Sequence, residues 1–436
     1  MNVQARHGPA ALQGRLDAAL ARDAADELAG MRARFALPHA ADGTTLLYLC
    51  GHSLGLAPTA ARAMIEAEIA HWERLGVLAH EDAASDWIGY AERLQPLLAQ
   101  LAGAQPHEVV AMNSLSVNLH LLLASFYRPS GQRRAILIEA GAFSSDRHVV
   151  ASQIDWHGFN PEHELIELSP RPGEELIRIE DVEARIAHEG SRLALVLWPG
   201  VQYRTGQLFD LARIARAAHA VDCQVGFDLA HAIGNVPLAL HADDADFAVW
   251  CSYKYLNAGP GALGGAFVHE RHCAGGELPR LTGWWGHDPG TRFEMGPQFR
   301  AARGAAAWAL SNPPIFSAAP LLASLPLFAE AGMPALRRKS MALTAYLASL
   351  LGELGGEQLT IITPADQAQR GSQLSLRIAR GAGHGRELFQ TLLARGVVCD
   401  WREPDIIRIA PVPLYNSFED VLRAAWQLCE LLRPRR

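Results

Sequence analysis

The distribution of apolar residues changes at about residue 100, where short apolar runs begin to alternate with segments of helical pattern. Runs rich in β-branched and aromatic residues predict strands, and a helix is predicted over 208–220, between two of them. Strands that alternate with helices predict an α/β fold with a mostly parallel sheet that is buried on both faces. The predicted strands cover 135–139, 193–198, 221–228, 246–252 and 265–268.

A second pattern begins after the Ser-Asn-Pro-Pro stretch at 311–314, because consecutive prolines cannot continue a helix. The residues beyond it predict a smaller α+β domain over 316–436, and the N-terminal residues 10–30 predict a helix. We therefore expect a large α/β domain over 51–315 and an N-terminal helical segment, 1–50, that packs with the small domain. Within the small domain the pattern predicts helical segments over 318–351, strands over 373–379 and 406–410, and a helix near 387–395.

Length and composition are those of a globular protein. A chain of 436 residues with 49% hydrophobic content can form two domains. The formal charge of −7 at pH 7 gives no electrostatic footprint for a nucleic-acid partner. The sequence contains no run of about eighteen apolar residues and its N-terminus has no continuous apolar stretch, so we expect a cytoplasmic protein without a membrane partner.

The cysteines are scattered along the chain, with no C-x-x-C pair and no short Cys/His ligand spacing. We therefore expect free thiols in a reducing compartment, and no metal site. The six positions are Cys50, Cys223, Cys251, Cys273, Cys399 and Cys429.

The stretch CGHSLG at 50–55 follows an apolar run, 46–49, and contains the pattern G-x-S-x-G. This pattern is the nucleophile elbow of α/β-hydrolases, in which Ser53 would be the catalytic nucleophile. An elbow serine comes after several strands of an assembled sheet, whereas the residues before Ser53 are too few and predict mainly a helix. A structural turn or a small-molecule contact is therefore the favoured interpretation of Ser53, and a serine hydrolase is the alternative.

Two consecutive predicted strands end in residues that can carry chemistry. Asp228 closes one strand, and Lys254 follows the next. Ligands of open α/β sheets bind beyond the carboxyl ends of the strands. An amine and a carboxylate at that edge suit pyridoxal phosphate, because the lysine forms a Schiff base and the aspartate keeps the ring nitrogen protonated. Taken singly, each residue has a simpler explanation, since an Asp after a strand is often a turn residue and a Lys beside Tyr often lies in solvent.

Hydroxyl and main-chain N–H groups in two further segments, Leu115-Ser116 and Ser144-Ser145, could bind the phosphate of such a cofactor. They would do so best if a helix begins at each segment, because the first N–H groups of a helix are free. Phe143 could stack on the ring.

Several long motifs carry a family resemblance: YLCGHSLGLAP, NSLSVNLHLLLASFYRP, FSSD, GFDLAHAIGN, WCSYKYLNAGPG, GWWGH, SNPPI and RIAPVPLYNSFED. They resemble motifs of the kynureninases, which are fold type I pyridoxal-phosphate enzymes, and they span nearly the whole chain. The resemblance implies pyridoxal 5'-phosphate as cofactor and a homodimer with shared active sites. It also implies a large domain with a mostly parallel seven-stranded sheet flanked by helices, and a smaller α+β domain. In this family a turn similar to CGHSLG lies at the substrate carboxylate, with Asn in the place of His52.

The resemblance also implies residue roles. Lys254 would be the Schiff-base lysine, Asp228 the partner of the ring nitrogen with His231 beside it, and Tyr253 both a phosphate contact and a catalytic acid. The implied cofactor-binding residues are Leu115, Ser116, Phe143, Ser144, Ser145, Asp146, Asp228, His231, Tyr253 and Lys254, with Trp284 and Asn312 from the neighbouring subunit. The implied substrate-binding residues are Ser53, His80, Asn312 and Arg408, of which Arg408 would bind the α-carboxylate.

The sequence departs from the family's usual residues at two further pocket positions. Ser116 stands where threonine is usual, which keeps the hydroxyl. Pro199 stands where a serine is often found, which leaves one pocket contact unexplained.

The reaction implied by the resemblance is hydrolysis of the Cβ–Cγ bond of L-kynurenine or 3-hydroxy-L-kynurenine, giving L-alanine and an anthranilate in tryptophan catabolism. His80 and Asn312 resemble the residues of members that prefer the 3-hydroxy substrate, and both side chains can hydrogen-bond a ring hydroxyl. We therefore expect 3-hydroxy-L-kynurenine to be the better substrate. Without the family, His80 is interpreted as a surface-loop residue and Asn312 as a turn residue.

Besides the serine hydrolase, three alternatives remain. An aminotransferase or a cysteine desulfurase of the same fold would share the cofactor. A desulfurase needs a mobile cysteine, and the candidate Cys399, in GVVCDW, has the pattern of a buried strand end. A non-catalytic relative is the third alternative, and the presence of Lys254 and Asp228 argues against it.

Overall fold

The computed structural model describes residues 9–273, 278–379 and 382–433, and the chain divides into two compact units. The first unit comprises Met1–Thr59, Tyr203–Leu208 and Leu327–Arg436, and the second comprises Ala60–Gln202 and Phe209–Pro326. The first unit thus includes a short internal segment, Tyr203–Leu208, that the sequence did not indicate. The domain boundaries expected after residues 50 and 315 stay predictions.

The helices are described in chain order. The α-helices are α1 Pro9–Ala24, α2 Ala61–Leu75, α3 Gln95–Ala102, α4 Leu115–Phe126, α5 Ser144–Trp156, α6 Pro161–Glu164, α7 Ile179–Glu189, α8 Leu211–His219, α9 Ile315–Ala331, α10 Met333–Gly355, α11 Ala382–Ala394 and α12 Phe418–Leu432. Short 3₁₀ turns connect several of them, among them Gly76–His80 and Pro106–Glu108.

The strands in the described part of the chain form three sheets. They are β1 Leu47–Tyr48, β2 Val109–Met112, β3 Ala135–Glu139, β4 Leu165–Leu168, β5 Leu193–Pro199, β6 Gln224–Asp228, β7 Phe247–Cys251, β8 Gly264–Val268, β9 Leu359–Ile361, β10 Leu374–Ile378, β11 Val397–Val398, β12 Asp400–Arg402 and β13 Ile406–Ile409.

The second unit contains a seven-stranded sheet with the order β2-β8-β7-β6-β5-β3-β4. Strands β4, β3, β5, β6 and β7 pair in parallel, and β8 is antiparallel to both of its neighbours. The predicted α/β class, with a mostly parallel seven-stranded sheet, is therefore confirmed. Every residue of β2, β3, β7 and β8 is buried, as expected for strands covered on both faces.

The first unit is built on an antiparallel four-stranded sheet with the order β12-β13-β10-β9. Its apolar core joins this sheet to α10, α11 and α12 and includes Ala19 of α1. Helix α12 begins at a capping box made by Ser417 and Asp420. The Asp23 carboxylate, from α1, accepts the N–H groups of Phe418 and Glu419 at 2.7 and 3.0 Å, so the N-terminal helix also caps α12.

Several predicted boundaries differ from the structure. The helix expected over 10–30 ends at Ala24, and a 3₁₀ turn follows at Ala29–Arg34. The helical region expected over 318–351 consists of α9 and α10, separated at Gly332, whose φ of 74° ends the first helix. Strand β6 begins three residues later than predicted, at Gln224.

No single helix among the described residues has the length and apolarity needed to cross a bilayer. One bent pair of neighbouring helices, Ile315–Ala331 and Met333–Gln358, meets such a criterion only when taken together, by length and composition.

Replacing Leu428 by Ala should lower the free energy of unfolding by about 2 to 5 kcal/mol, because the side chain is fully buried in the core of the first unit. Urea unfolding followed by circular dichroism measures the change. The matched control is Leu393→Ala, because the Leu393 side chain is 39% exposed, and it should shift stability by no more than about 0.5 kcal/mol. Equal effects of the two substitutions would contradict the assigned core.

Candidate active site

The pairing of β6 with β7 brings a carboxylate and an amine to one edge of the seven-stranded sheet. Asp228 is the last residue of β6 and pairs with Val249 of the parallel β7. Lys254 follows the end of β7, and its Nζ lies 3.1 Å from Nε2 of His231, which follows β6. The amine therefore has a hydrogen-bonded imidazole beside it, at the edge where ligands of such sheets bind.

Two aromatic rings flank the Lys254 amine. The ring centroids of Phe143 and Tyr253 each lie 5.8 Å from Nζ. Phe143 is the residue immediately before α5 and is 41% exposed. An exposed ring at this distance from the amine can stack on a planar group that is attached there.

Two buried carboxyl groups, those of Glu139 and Asp146, interact with the partly buried Asp228. Burial raises the pKa of Glu139, the last residue of β3, to about 8, and the Asp228 charge adds to the increase. Burial, followed by the Asp228 charge and a hydrogen bond to Asp228, raises the pKa of Asp146 well above its ordinary value. Asp146 Oδ1 is buried and has no hydrogen-bond partner among the described residues. This excess of acceptors fits a cationic ring N–H, such as the protonated pyridine of pyridoxal phosphate.

Two helix N-termini bring hydroxyl groups together in the same unit. Ser116 lies in the first turn of α4 and Ser145 in the first turn of α5, and their Oγ atoms are 2.6 Å apart. Main-chain N–H groups at the start of a helix are free to bind anions, and the helix dipole adds to the attraction. The residues Leu115, Ser116, Ser144 and Ser145 therefore fit a phosphate group.

Two residues near the sheet edge differ in what they can offer. Burial raises the pKa of the Tyr253 phenol, and the neighbouring Cys251 adds to the increase, so the phenol stays protonated at neutral pH. Pro199 ends β5 opposite Asp228 and has no hydroxyl. The next residue, Gly200, donates its N–H to the Asp228 carbonyl at 2.8 Å. The contact between the end of β5 and Asp228 is therefore a main-chain hydrogen bond.

A second group of functional side chains surrounds Arg408 in the first unit. Arg408 is fully buried. Its Nη1 donates to the Tyr203 carbonyl at 2.6 Å, and its Nη2 donates to Ser53 Oγ at 3.2 Å and to Asp400 Oδ2 at 2.5 Å. Ser53 Oγ also donates to Asp400. The structure thus brings together Ser53 and Arg408, as the resemblance implies, around an internal carboxylate.

Sequence reasoning missed Asp400, Arg402 and Tyr203. Asp400 pairs with Arg408 across β12 and β13, and Arg402 Nη2 lies 3.0 Å from Asp400 Oδ2. Charged residues two apart on one strand were the available signal, because their side chains share a face. The position of Tyr203 had no comparable signal, since its contribution is a main-chain carbonyl.

The surroundings of Ser53 differ from those of a nucleophile elbow. The preceding strand, β1, has two residues and pairs with β11 in a separate two-stranded sheet. The nearest helix after it, α2, begins at Ala61. An elbow joins a strand of the main parallel sheet directly to a helix, so the serine-hydrolase interpretation lacks its structural context.

A cavity of about 410 Å³ in the second unit contains three of the predicted pocket residues, His80, Trp284 and Asn312. The His80 ring packs edge-on against Trp87 with centroids 5.3 Å apart. His80 Nδ1 lies 3.0 Å from the Val77 carbonyl. The structure thus places these three residues in one cavity of a single chain.

Comparison with known proteins identifies the family. Residues 336–428 match the family model of the kynureninase C-terminal domain. The kynureninase of Xanthomonas campestris pv. campestris (strain B100) is 57% identical over 403 residues, covering 92% of this chain and 95% of the relative. The chain belongs to the kynureninase family.

Solved structures show the fold that this kynureninase-family chain shares with more distant enzymes. A C-DES mutant with glycine covalently linked to its PLP cofactor has a TM-score of 0.73 and 19% identity, covering 87% of this chain and 96% of that one. The cysteine desulfurase CsdA of Escherichia coli has a TM-score of 0.74 and 18% identity, covering 93% and 98%. At this identity the likeness shows the fold alone, fold type I of the pyridoxal-phosphate enzymes.

The chain has only two lysines, Lys254 and Lys339, which makes the cofactor's attachment point easy to test. Borohydride reduction of the yellow protein should fix pyridoxal phosphate on the peptide that contains Lys254, as read by mass spectrometry. Lys339 is buried and paired with Asp26 at 2.7 Å, so it should remain unmodified. The control Lys339→Arg should label as the wild type does, whereas labelling that survives in Lys254→Arg would contradict the assignment.

Proposed function

We propose that this chain hydrolyses the Cβ–Cγ bond of a kynurenine to L-alanine and an anthranilate. Its cofactor is pyridoxal 5'-phosphate, which when bound supplies an electron sink for charge that develops at the substrate α-carbon. Family membership supports the activity. The observation that carries the proposal is the Lys254 amine, 3.1 Å from His231, at a sheet edge with buried carboxyl groups.

Lys254 has two tasks in this proposal. Its amine would hold the cofactor, and when free of it Nζ would remove the α proton and later return a proton to the α-carbon, which completes L-alanine. His231 Nε2 is within hydrogen-bond distance of Nζ and can share the proton that Lys254 carries. Asp228 would hold the protonated ring nitrogen of the cofactor, and the carboxyl of Asp146 would offer a second acceptor to it.

The cleavage consumes one water and needs a proton donor near the β-carbon. The water oxygen adds to the γ-carbonyl carbon, the Cβ–Cγ bond breaks, and the aromatic carboxylic acid leaves. The β-carbon then takes up a proton to become the methyl group of alanine. We assign this donation to Tyr253. The raised pKa of its phenol keeps it protonated until the β-carbon becomes basic enough to accept the proton.

We infer that Arg408 and Ser53 bind the α-carboxylate of the substrate. A guanidinium forms paired, charge-assisted hydrogen bonds with a carboxylate. Arg408 Nη2 binds the Asp400 carboxylate, which a substrate carboxylate would have to displace or share, whereas the buried Arg408 Nε has no hydrogen-bond partner among the described residues and remains available as a donor.

The tautomer of His80 supports 3-hydroxy-L-kynurenine as the preferred substrate. The Val77 carbonyl can only accept a hydrogen bond, so His80 Nδ1 must carry the proton. In the neutral imidazole Nε2 is then an acceptor, which suits a phenolic O–H. Asn312, which the homodimer proposed below supplies from the neighbouring subunit, offers both a donor and an acceptor. Such a site leaves its polar groups unpaired when the ring hydroxyl is missing.

We further propose a cytoplasmic homodimer in which Trp284 and Asn312 serve the neighbouring subunit's site. The rim of the 410 Å³ cavity exposes large apolar side chains, with Val77 at 78%, Leu78 at 69% and Phe293 at 57%. Exposed apolar groups of this extent are typical of an interaction surface. All six cysteines are free, which suits a reducing compartment.

Arg408→Ala should lower kcat/KM, because a charge-assisted pair with the substrate is lost. The decrease should correspond to about 2 to 5 kcal/mol of lost transition-state binding. Steady-state kinetics with the cofactor-loaded protein measures the loss. The control Arg395→Ala removes an exposed arginine of the same unit, paired with Glu430, and should leave kcat/KM unchanged. A folded, cofactor-loaded Arg408→Ala enzyme with wild-type kcat/KM would show that the carboxylate binds elsewhere.

The substrate preference can be tested by measuring kcat/KM for both kynurenines. Wild type should favour the 3-hydroxy substrate, and His80→Phe combined with Asn312→Thr should lower that preference about ten- to a hundredfold by removing the hydrogen bonds to the ring hydroxyl. His71→Phe, on α2, is the control and should keep the preference. Equal wild-type values, or a preference that survives the double substitution, would refute this assignment.

A further inference from the structure

A compact group of one glutamate and two histidines lies at the end of the seven-stranded sheet opposite Lys254. Glu108 immediately precedes β2, His269 immediately follows β8, and His241 lies in the segment before β7. Lys254 follows the other end of β7. The three residues therefore join three chain segments at a sheet edge that the proposed reaction does not use.

The Glu108 carboxylate is held rigidly. The residue is fully buried, and its two oxygens accept main-chain N–H groups, Oε2 from Gln105 and Oε1 from Glu270, each at 2.8 Å. Fixed donors of this kind orient a carboxylate in the way that outer groups orient metal ligands.

The two histidines face the same oxygen of Glu108. His241 Nδ1 lies 3.0 Å and His269 Nδ1 3.7 Å from Glu108 Oε1. The rings are stacked with centroids 4.9 Å apart, and the three ligand atoms lie within 4.8 Å of one another. Zinc bonds of about 2.0 to 2.1 Å in a tetrahedral site place the ligand atoms about 3.3 Å apart. The His241 distance of 3.0 Å is slightly shorter than this separation, and the His269 distance of 3.7 Å is slightly longer.

The state of His269 and the charge around it favour a cation. His269 Nδ1 accepts the main-chain N–H of Arg271 at 3.3 Å, so this nitrogen carries the lone pair that a metal ligand needs, and a bound ion would replace this long hydrogen bond. Its Nε2 lies 3.7 Å from Asp244 Oδ1, the carboxylate-behind-histidine arrangement common at zinc sites. Asp244, Glu270 and Asp246 add negative charge nearby, and Arg271 offsets only part of it.

We propose that Glu108, His241 and His269 bind one divalent transition-metal ion of the Zn²⁺ class, with water at the fourth position. Two imidazole nitrogens and one carboxylate oxygen form a donor set that suits zinc, whereas Mg²⁺ prefers oxygen ligands. The ion would tie the start of β2, the end of β8 and the segment before β7 together, and it would act on stability, away from the cofactor.

The test measures zinc bound to the untagged holoenzyme. After incubation with Zn²⁺ and gel filtration, wild type should retain about one zinc ion per chain by mass spectrometry. Competition with a chromophoric chelator should show affinity at least about tenfold weaker in His241→Gln and in His269→Gln. The control His188→Gln removes an exposed histidine of α7 and should bind as wild type does. Zn²⁺ should also raise the Tm of wild type and of the control, and Mg²⁺ should not.

Three results would overturn the proposal. They are zinc content well below one per chain in wild type, unchanged zinc affinity in both histidine variants, and zinc binding that disappears in Cys50→Ser instead. The last result would place the ion at Cys50, His52 and Asp400 in the first unit, the other such group among the described residues. The histidine variants carry the test because Glu108 is fully buried, and its replacement endangers folding.

Discussion

Parallel pairing of β5, β6 and β7 is the constraint on which the chemistry depends. In this register Pro199 lies opposite Asp228, and Asp228 opposite Val249, so the residues that follow the strands converge on one edge. The same convergence buries carboxyl groups together, which raises the pKa of Glu139 and of Asp146. A cation beside these carboxyl groups would offset part of their desolvation cost, which supports the proposed positively charged ring nitrogen at this edge.

The sequence predicted those elements whose apolar runs are continuous, and β3 at Ala135–Glu139 agrees residue for residue. It did not predict β2, Val109–Met112, or β4, Leu165–Leu168. Both have four residues and lie at the two edges of the sheet, and β4 contains the charged Glu167. Such strands are stabilised by pairing with strands that are distant in the sequence. The local residue pattern carries no information about this pairing.

The candidate site divides in the same way. Asp228 and Lys254 could be predicted because strand ends of a parallel sheet share an edge, whereas the Tyr203 carbonyl on Arg408 comes from 205 residues away. The fold could not select the reaction, since structural neighbours at TM-scores of 0.73 and 0.74 include a desulfurase. Particular residues argue against that activity: Cys399 is 4% exposed and burial raises the pKa of its thiol, so it is no mobile nucleophile.

The contact between Ser53 and Arg408 spans 355 positions of the chain. Proteins are synthesised from the N-terminus, and domains generally fold as they emerge. Strand β1, the following turn and helix α1 therefore cannot complete their contacts until β11, β13 and α12 have been synthesised. The lysine-bearing sheet is synthesised complete well before this closure. The contact between Ser53 and Arg408 thus forms only after the sheet that bears Lys254 has been synthesised, and a chain truncated before β13 would contain Lys254 without Arg408.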